Sequence, residues 1–233
     1  MKKTSPESAM TRRSALAGGF GLALAGLTVA ESASEVEAAP ERKRRPRPQR
    51  EEPWKYVKLD SEAAAQYAYE SYEPWGCMYG AVKGGLKAYA EANPEMAETI
   101  AAFPILALRS GKTGFGAQEF LCGSLNGAGF FMGLFVPDYA ELCQLIVKLT
   151  DYYLATSLPN FVPENDKYPN FVSTTSPTVM CADSKGTWLA VDPSPAHKQL
   201  RQERCMRLTG SVMKKAVELL NEYFEKGAES EEA

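Results

Sequence analysis

Histidine is almost absent from this sequence. The 233 residues contain one histidine, His197, together with five cysteines. A single histidine excludes a multi-histidine metal site and bis-histidine haem ligation within one chain, and it leaves a Ser–His–acid triad unsupported. The cysteines also lack the two-residue spacing of a zinc knuckle or a thioredoxin site, and no Cys-x-x-Cys-His sequence is present. We therefore expect no covalently attached haem.

Basic charge is scarce in the body of the chain. Six Lys or Arg residues stand within residues 42–50, whereas residues 51–233 hold 16 basic and 24 acidic side chains, a net charge of −8. Nucleic-acid binding needs clustered basic charge, so we expect no nucleic-acid partner. The basic run also contains Pro46 and Pro48, which is typical of a solvated linker, here residues 39–53. Contact of this run with anionic lipid or an acidic partner is the alternative.

The N-terminus resembles a twin-arginine export signal. Arg12 and Arg13 precede an uncharged, Ala/Gly-rich run at residues 15–30, which is too short for a confident membrane span. We expect residues 1–38 to direct the protein to the periplasm or another exported location. Ala15 stands where such signals usually have a bulky residue, and an uncleaved or Sec-type signal is the alternative. Twin-arginine export carries folded proteins, often with a cofactor in place, and so favours a metal or redox centre.

Apolar periodicity and capping residues predict a mainly α fold. We expect a compact helical domain of about five to six helices at residues 54–226, with a Pro-rich loop, at most short strands, and an acidic tail at 227–233. The predicted helices are residues 61–72, 75–92, 94–103, 118–135, 137–156 and 194–226, and the predicted extended pieces are 178–181 and 188–191.

Residues 109–117 (RSGKTGFGA) superficially resemble a phosphate-binding loop. The complete pattern needs a glycine five residues before Gly111, and that position holds Leu106. The glycines do not match the dinucleotide-binding pattern either. We therefore interpret this segment as a glycine-rich loop without a nucleotide.

Glycine concentrates beside Cys122. The uncharged residues 120–133 (FLCGSLNGAGFFMG) hold four glycines, and each costs a helix interior roughly 0.5–1 kcal/mol relative to alanine. Either a close helix–helix approach or a cofactor beside the backbone would offset that cost. We expect Gly123 and Gly127 to bring this helix close to the one that carries Cys77, itself lined with small residues (Gly80, Ala81 and Gly84). Length alone permits a marginal membrane span, but the glycines and Asn126 favour a buried core helix, so no transmembrane span is expected after signal removal.

The dispersed cysteines leave two kinds of centre open. Four thiolates are the usual holders of an iron–sulfur cluster and also of structural zinc. Structural disulfides are favoured by an exported location. Cys143 lies in the apolar stripe of the 137–156 helix without polar neighbours, and we interpret it as core filling. Spacing alone does not decide between metal and disulfide.

A resemblance favours the metal. Residues 122–127 (Cys-Gly-Ser-Leu-Asn-Gly) resemble the Cys-Gly-Ala-x-x-Gly motif of the C_GCAxxG_C_C family of redox-active proteins, with Ser124 in place of alanine. Members have one cysteine before the motif and two after it, which correspond to Cys77, Cys181 and Cys205. The resemblance covers roughly residues 60–225. That family is similar in part to the split-Soret cytochromes c, dimeric electron carriers with haem and a non-haem iron centre, although the haem-attachment motif is missing here.

The resemblance implies an exported redox or electron-transfer protein with a four-cysteine iron–sulfur centre. The implied metal ligands are Cys77, Cys122, Cys181 and Cys205, with Gly123 and Gly127 also in the cofactor-binding surface. A homodimer follows by analogy with the cytochromes, and the redox partner is unknown.

Two other functions stay open. One is a thiol–disulfide redox protein that uses the same cysteines, and the other is a non-catalytic helical binding protein with structural cysteines. Arg204 and Arg207 flank Cys205. They either offset the charge of a thiolate-bound cluster or are solvated on the outer face of their helix. No histidine stands near the thiols as a general base, so whether the protein is an enzyme is undecided.

Overall fold

Helix α2, Cys77–Ala92, packs between α1, Ser61–Glu70, and α4, Gly123–Gly133. This computed structural model describes residues 52–231, with side chains to residue 227, and they belong to one compact unit. The predicted export signal and most of the linker lie outside the described residues.

The fold is mostly helical, as predicted. The described residues form no sheet, and their strand-like pairing consists of isolated antiparallel bridges, Leu121 with Met180 and Leu158 with Thr174. Short 3₁₀ helices occur at Pro94–Met96 and Ile105–Gly111. Besides α1, α2 and α4, the α-helices are α3 (Ala97–Ala101), α5 (Tyr139–Ala155), α6 (Cys181–Val191), α7 (Pro195–Gln199) and α8 (Arg201–Glu231).

Capping side chains fix where three helices begin. The Asp60 carboxylate accepts backbone N–H bonds of 2.9 and 3.1 Å at the start of α1. Asp138 accepts bonds of 2.8 and 3.0 Å at the start of α5. The Ser194 hydroxyl accepts the N–H of His197 at the start of α7. Such caps satisfy backbone donors that lack a partner within the helix. Helix α1 begins at the predicted residue 61, whereas α5 and α7 begin two residues and one residue after the predicted starts at 137 and 194.

Helix α4 begins five residues later than the predicted start at residue 118. Every residue from Thr113 to Ala117 has a positive φ, between 52° and 66°, and so does Glu119, at 60°. A left-handed backbone cannot continue into a right-handed helix, because the two require opposite signs of φ. Cys122 is consequently the N-cap of α4 rather than an interior helical residue.

Two predictions for the C-terminal third are wrong in detail. Residues 188–191 are the last turn of α6 rather than an extended piece, because a short apolar run does not distinguish a strand from a buried helical turn. The predicted helix from Ser194 is divided at Leu200 into α7 and α8. Trp188, at the centre of this region, is fully buried, and its indole donates to the Val172 carbonyl at 2.9 Å.

The apolar stripe predicted for the 137–156 helix is only partly buried in α5. Leu149 and Tyr153 are buried, whereas Tyr139 is 78% exposed. Cys143 is half-buried, so it lies at the edge of the core rather than within it.

None of the described helices combines the length and the apolar character that crossing a bilayer requires.

Glycine sets the distance between α2 and α4. A Cβ atom on Gly127 would lie 2.7 Å from the Met78 carbonyl oxygen and 2.9 Å from the Ala81 Cβ, and one on Gly123 would overlap the Cys77 sulfur. The two helices therefore approach closely at these glycines, and helix contact offsets their conformational cost. Of the small residues on α2, Ala81 faces α4 as expected.

Gly80 and Gly84, predicted to face α4, instead face α1. A Cβ on Gly80 would lie 2.8 Å from the Tyr72 Cα, and one on Gly84 would overlap the backbone of Ala68. The small residues of α2 thus form two separate contact surfaces, because residues three and four apart on a helix lie on the same face.

The two kinds of glycine in α4 give a matched pair of variants. Gly127→Ala should lower the free energy of unfolding by about 1–3 kcal/mol, because the new methyl group overpacks against the backbone of α2. Gly129→Ala should raise it by about 0.5–1 kcal/mol, because the new methyl meets only Ile146 at an ordinary 3.7 Å and alanine favours a helix. Urea unfolding of both variants measures the difference, and equal effects would show that α2 and α4 are not in tight contact.

Candidate metal centre

Four of the five cysteines line one cavity of about 210 Å³. They are the four that the resemblance identified as ligands: Cys77, Cys122, Cys181 and Cys205. The fifth, Cys143, lies on α5 outside the cavity wall. The fold therefore brings together thiols that are dispersed in the sequence.

Three of these cysteines stand at the beginning of a helix. Cys77 is the first residue of α2, Cys122 is the N-cap of α4, and Cys181 is the first residue of α6. The start of a helix carries partial positive charge from its free backbone N–H groups. Three helix N-termini thus meet at one cavity, an arrangement that favours negative charge there.

A short antiparallel pairing holds Cys122 beside Cys181. The Cys122 N–H donates to the Val179 carbonyl at 2.9 Å, and the Cys181 N–H donates to the Phe120 carbonyl at 2.6 Å. These bonds flank the bridge between Leu121 and Met180. The starts of α4 and α6 are therefore fixed relative to each other by backbone hydrogen bonds.

Cys205 joins the cavity from α8. The Ser124 and Thr209 hydroxyls, both fully buried, lie 3.0 Å apart and connect α4 to α8. The Thr209 hydroxyl also lies 2.8 Å from the Cys205 carbonyl, to which it can donate. Ser124 thus has a structural role, because alanine could not make this contact.

Two of the four cavity thiols have a strongly raised pKa. Burial is the largest cause and the neighbouring cysteines, Cys122 foremost, are the next, and together they raise the pKa of both Cys77 and Cys181 to about 12. Burial also raises the pKa of Tyr72, with Cys205 as the next cause, and that of Tyr153, with Cys122 next. The Cys77 and Cys181 thiols are therefore protonated at neutral pH, and a metal that binds them must displace their protons.

The cavity wall is rich in basic side chains, in contrast to the acidic chain as a whole. It contains two arginines, two lysines and a single acid, Glu73. Lys185 pairs with Glu119 outside the wall, and the Lys112 ammonium donates to the Pro74 carbonyl at 3.0 Å. The arginines of the wall are Arg201 and Arg204.

Arg204 and Arg207 are both buried, 3% and 2% exposed, so the alternative of solvated charges is wrong for each. Arg207 points away from the cavity and pairs with Glu203, at 2.7 Å, and with Asp166. Arg204 lies in the cavity wall, where its guanidinium donates to the Ser184 carbonyl and hydroxyl at 2.9 and 2.6 Å. Its Nε has no hydrogen-bond partner.

Sequence reasoning did not identify Lys112, Lys185 or Ser184 as residues of the wall. The signal for Lys185 was present, because it follows Cys181 by four residues and so shares its helix face. Nothing in the sequence near Lys112 indicates that its loop folds back over the cysteines. The single histidine is not a candidate ligand, since His197 stacks on Trp188 and its Nε2 lies 2.9 Å from the Trp188 carbonyl.

Gly123 and Gly127 are not part of the cavity wall. They face α2, where Gly123 leaves room for the Cys77 sulfur. Their contribution to the site is to allow the helix of Cys77 to approach that of Cys122.

The four thiols line one cavity wall. Among the described residues, however, no group of three or more Cys, His, Asp or Glu side chains has the geometry to hold a metal ion. A tetrahedral zinc ion, for example, needs its sulfurs about 2.3 Å from one centre.

The raised pKa of Cys181 predicts an unusual pH profile for alkylation of the metal-free protein. An ordinary thiol reacts faster as pH rises and levels off near its pKa of about 8.5, because the thiolate is the nucleophile. The Cys181 rate should instead keep rising about tenfold per pH unit through pH 10. Peptide mapping after timed iodoacetamide treatment measures this rate, with the urea-unfolded chain as control. A Cys181 rate that levels off at the same pH in folded and unfolded protein would contradict it.

No family model matches the chain. The split-Soret cytochrome c of Desulfovibrio desulfuricans is 30% identical over 181 residues, which are 75% of this chain and 63% of that protein. The chain thus spans somewhat less than two thirds of that relative's length. A solved structure of split-Soret cytochrome c from strain ATCC 27774, described as having a novel iron centre, matches with a TM-score of 0.68 at 30% identity, covering 75% of this chain and 73% of that one. The chain is therefore a distant homologue of split-Soret cytochrome c and belongs to its family.

Proposed function

We propose that this protein is an electron-transfer protein whose four cavity cysteines bind an iron–sulfur cluster. The observation that supports this most is the convergence of Cys77, Cys122, Cys181 and Cys205 on one cavity. Cysteine thiolates are the usual ligands of such clusters.

Homology supports iron as the metal. The relative is a cytochrome, and its solved structure is described as containing a novel iron centre. The haem of that relative is not part of the proposal, because this chain has no Cys-x-x-Cys-His sequence. The resemblance to the C_GCAxxG_C_C family supports the same four ligands.

The donor set supports a cluster, because the cavity wall offers four cysteines and no histidine. When bound, it would supply one-electron transfer.

The chain's own residues would shield and balance such a centre. Cys77 and Cys122 are only 7% and 4% exposed, which excludes water from one side. The exposed side chains of Lys112 and Arg201 stand at the cavity wall on the solvent side, where a redox partner would approach.

The thiol–disulfide function is the second candidate. Pairs of thiols in one cavity would suit reversible disulfide formation if their sulfurs came within bonding reach. All five cysteines are free thiols in the structure. The third candidate is a non-catalytic helical binding protein with structural cysteines.

Export and homodimerisation are also part of the proposal. The twin-arginine pattern supports export, and the exposed Phe120, Leu121 and Phe130 beside a groove between α4 and α5 provide apolar surface for a second copy.

Iron analysis of anaerobically purified protein is the principal test. The wild-type chain should contain iron and acid-labile sulfide and should absorb visible light. Replacing any of the four cavity cysteines with serine should remove most of the bound iron, because a cluster depends on each thiolate. Cys143→Ser is the matched control and should retain the iron of wild type. A colourless wild-type protein without iron or sulfide would end the proposal.

Intact mass separates the thiol–disulfide alternative from the cluster. Denatured wild-type protein should show the mass of five free thiols with and without prior reduction. A mass increase on reduction, abolished by Cys181→Ser but not by Cys143→Ser, would favour disulfide exchange instead.

The proposed export and the proposed dimer are both tested on the mature protein. N-terminal sequencing of protein from the exported fraction should show that the arginine pair has been removed, and sedimentation equilibrium should give the mass of a dimer. A Phe130→Ser variant should shift the mass toward the monomer, because it removes apolar area from the proposed contact. An intact N-terminus or a monomeric wild type would contradict the corresponding part.

A further inference from the structure

Arg204 is a buried cation without an anion. The side chain is 3% exposed, and no carboxylate in the described part of the chain pairs with it. Ser184 accepts two bonds from one nitrogen of the guanidinium, but Nε is buried and has no partner. Buried charges in proteins are normally paired, because losing hydration is costly.

Arg207, on the same helix, provides a comparison, because its charge is compensated by two carboxylates. It is buried to the same degree, three residues further along α8, and it is held by Glu203 and Asp166. Arg204 has no such partners, although residues 51–233 hold 24 acidic and 16 basic side chains. The difference between them is their surroundings, since Arg204 lies in the wall of the thiol cavity.

The other charges of the cavity do not supply the missing anion. Glu73, the one acid in the wall, is exposed and accepts a hydrogen bond from Gln202. Lys185 adds positive charge, although Glu119 offsets it. The N-termini of α2, α4 and α6 add partial positive charge on the same cavity.

We propose that Arg204 is a positioning residue that balances the negative charge of the thiolate-bound centre, donating its free Nε–H to a sulfur of that centre. This inference rests on the proposed function. A one-electron reduction adds one negative charge to the centre, and a neighbouring cation stabilises that extra charge. Arg204 therefore raises the reduction potential of the centre.

A redox titration of the iron-loaded protein with dithionite tests this role. Arg204→Gln should shift the midpoint potential by about 59 mV or more in the negative direction, which is a tenfold change in the ratio of oxidised to reduced centre for a one-electron couple. Arg204→Lys keeps the charge and should recover part of the shift. Arg201→Gln removes a cation from the exposed end of the same wall and should shift the potential by less than half as much, because solvent screens it.

Thermal unfolding with and without iron provides a second readout. Arg204→Met removes the uncompensated charge, so the metal-free variant should unfold at the same temperature as metal-free wild type or higher. Loading with ferrous iron and sulfide should stabilise this variant less than it stabilises wild type. A purely structural arginine would instead lower both unfolding temperatures equally.

The outcomes separate this inference from the proposed function. A wild-type chain that binds no iron would contradict both the proposed function and the proposed role of Arg204. A wild-type chain that binds iron, together with Arg204 variants of unchanged potential and unchanged stabilisation by iron, keeps the proposed function and overturns the role of Arg204. Failure of metal-free Arg204→Met to fold would likewise overturn it, because the side chain would then be structural.

Discussion

The close contact between α2 and α4 is the constraint on which the cavity depends. A methyl group at Gly123 would occupy the position of the Cys77 sulfur, and one at Gly127 would meet the backbone of α2. With side chains at these positions the helices would separate, and Cys77 and Cys122 would no longer line the same cavity. The glycines are therefore required for geometry rather than for direct contact with a bound group. Helices α2 and α4 contribute Cys77 and Cys122 to the cavity wall, and α6 and α8 contribute Cys181 and Cys205.

The electrostatics of the cavity oppose those of the rest of the chain. The body of the protein carries a net charge of −8, yet three helix N-termini and several basic side chains surround the thiols. In the metal-free state burial keeps Cys77 and Cys181 protonated and neutral, so their thiols do not offset this positive charge. Once a metal displaces their protons, the same surroundings stabilise the negative charge of the thiolates. The cavity is thus suited to exchange protons for a metal.

Sequence alone predicted the elements that depend on local chemistry. The start of α1 was predicted from capping by Asp60, whose side chain acts within three residues. The starts predicted at residues 137 and 194 lie within two residues of α5 and α7, which Asp138 and Ser194 cap. The four cavity cysteines were recognisable only through a resemblance, since spacing left a metal and disulfides equally open.

Features that depend on distant contacts were not predictable in this way. The late start of α4 arises from the left-handed loop and from pairing with Val179 and Met180, nearly sixty residues along the chain. The different environments of Arg204 and Arg207 depend on which elements pack against α8, and helical periodicity does not reveal that. Gly80 and Gly84 were assigned to the wrong neighbour for the same reason, because a small residue indicates close packing without naming the partner.

The four cysteines come from α2, α6, α8 and the N-cap of α4, which are far apart in sequence. A group bound to all four would therefore cross-link these segments and close three long loops of the chain at one point. Cross-links of this kind act largely on the unfolded chain, by removing extended conformations from it. The order of events would then matter: iron added to a folded chain enters a finished cavity, whereas iron bound early would guide which helices meet.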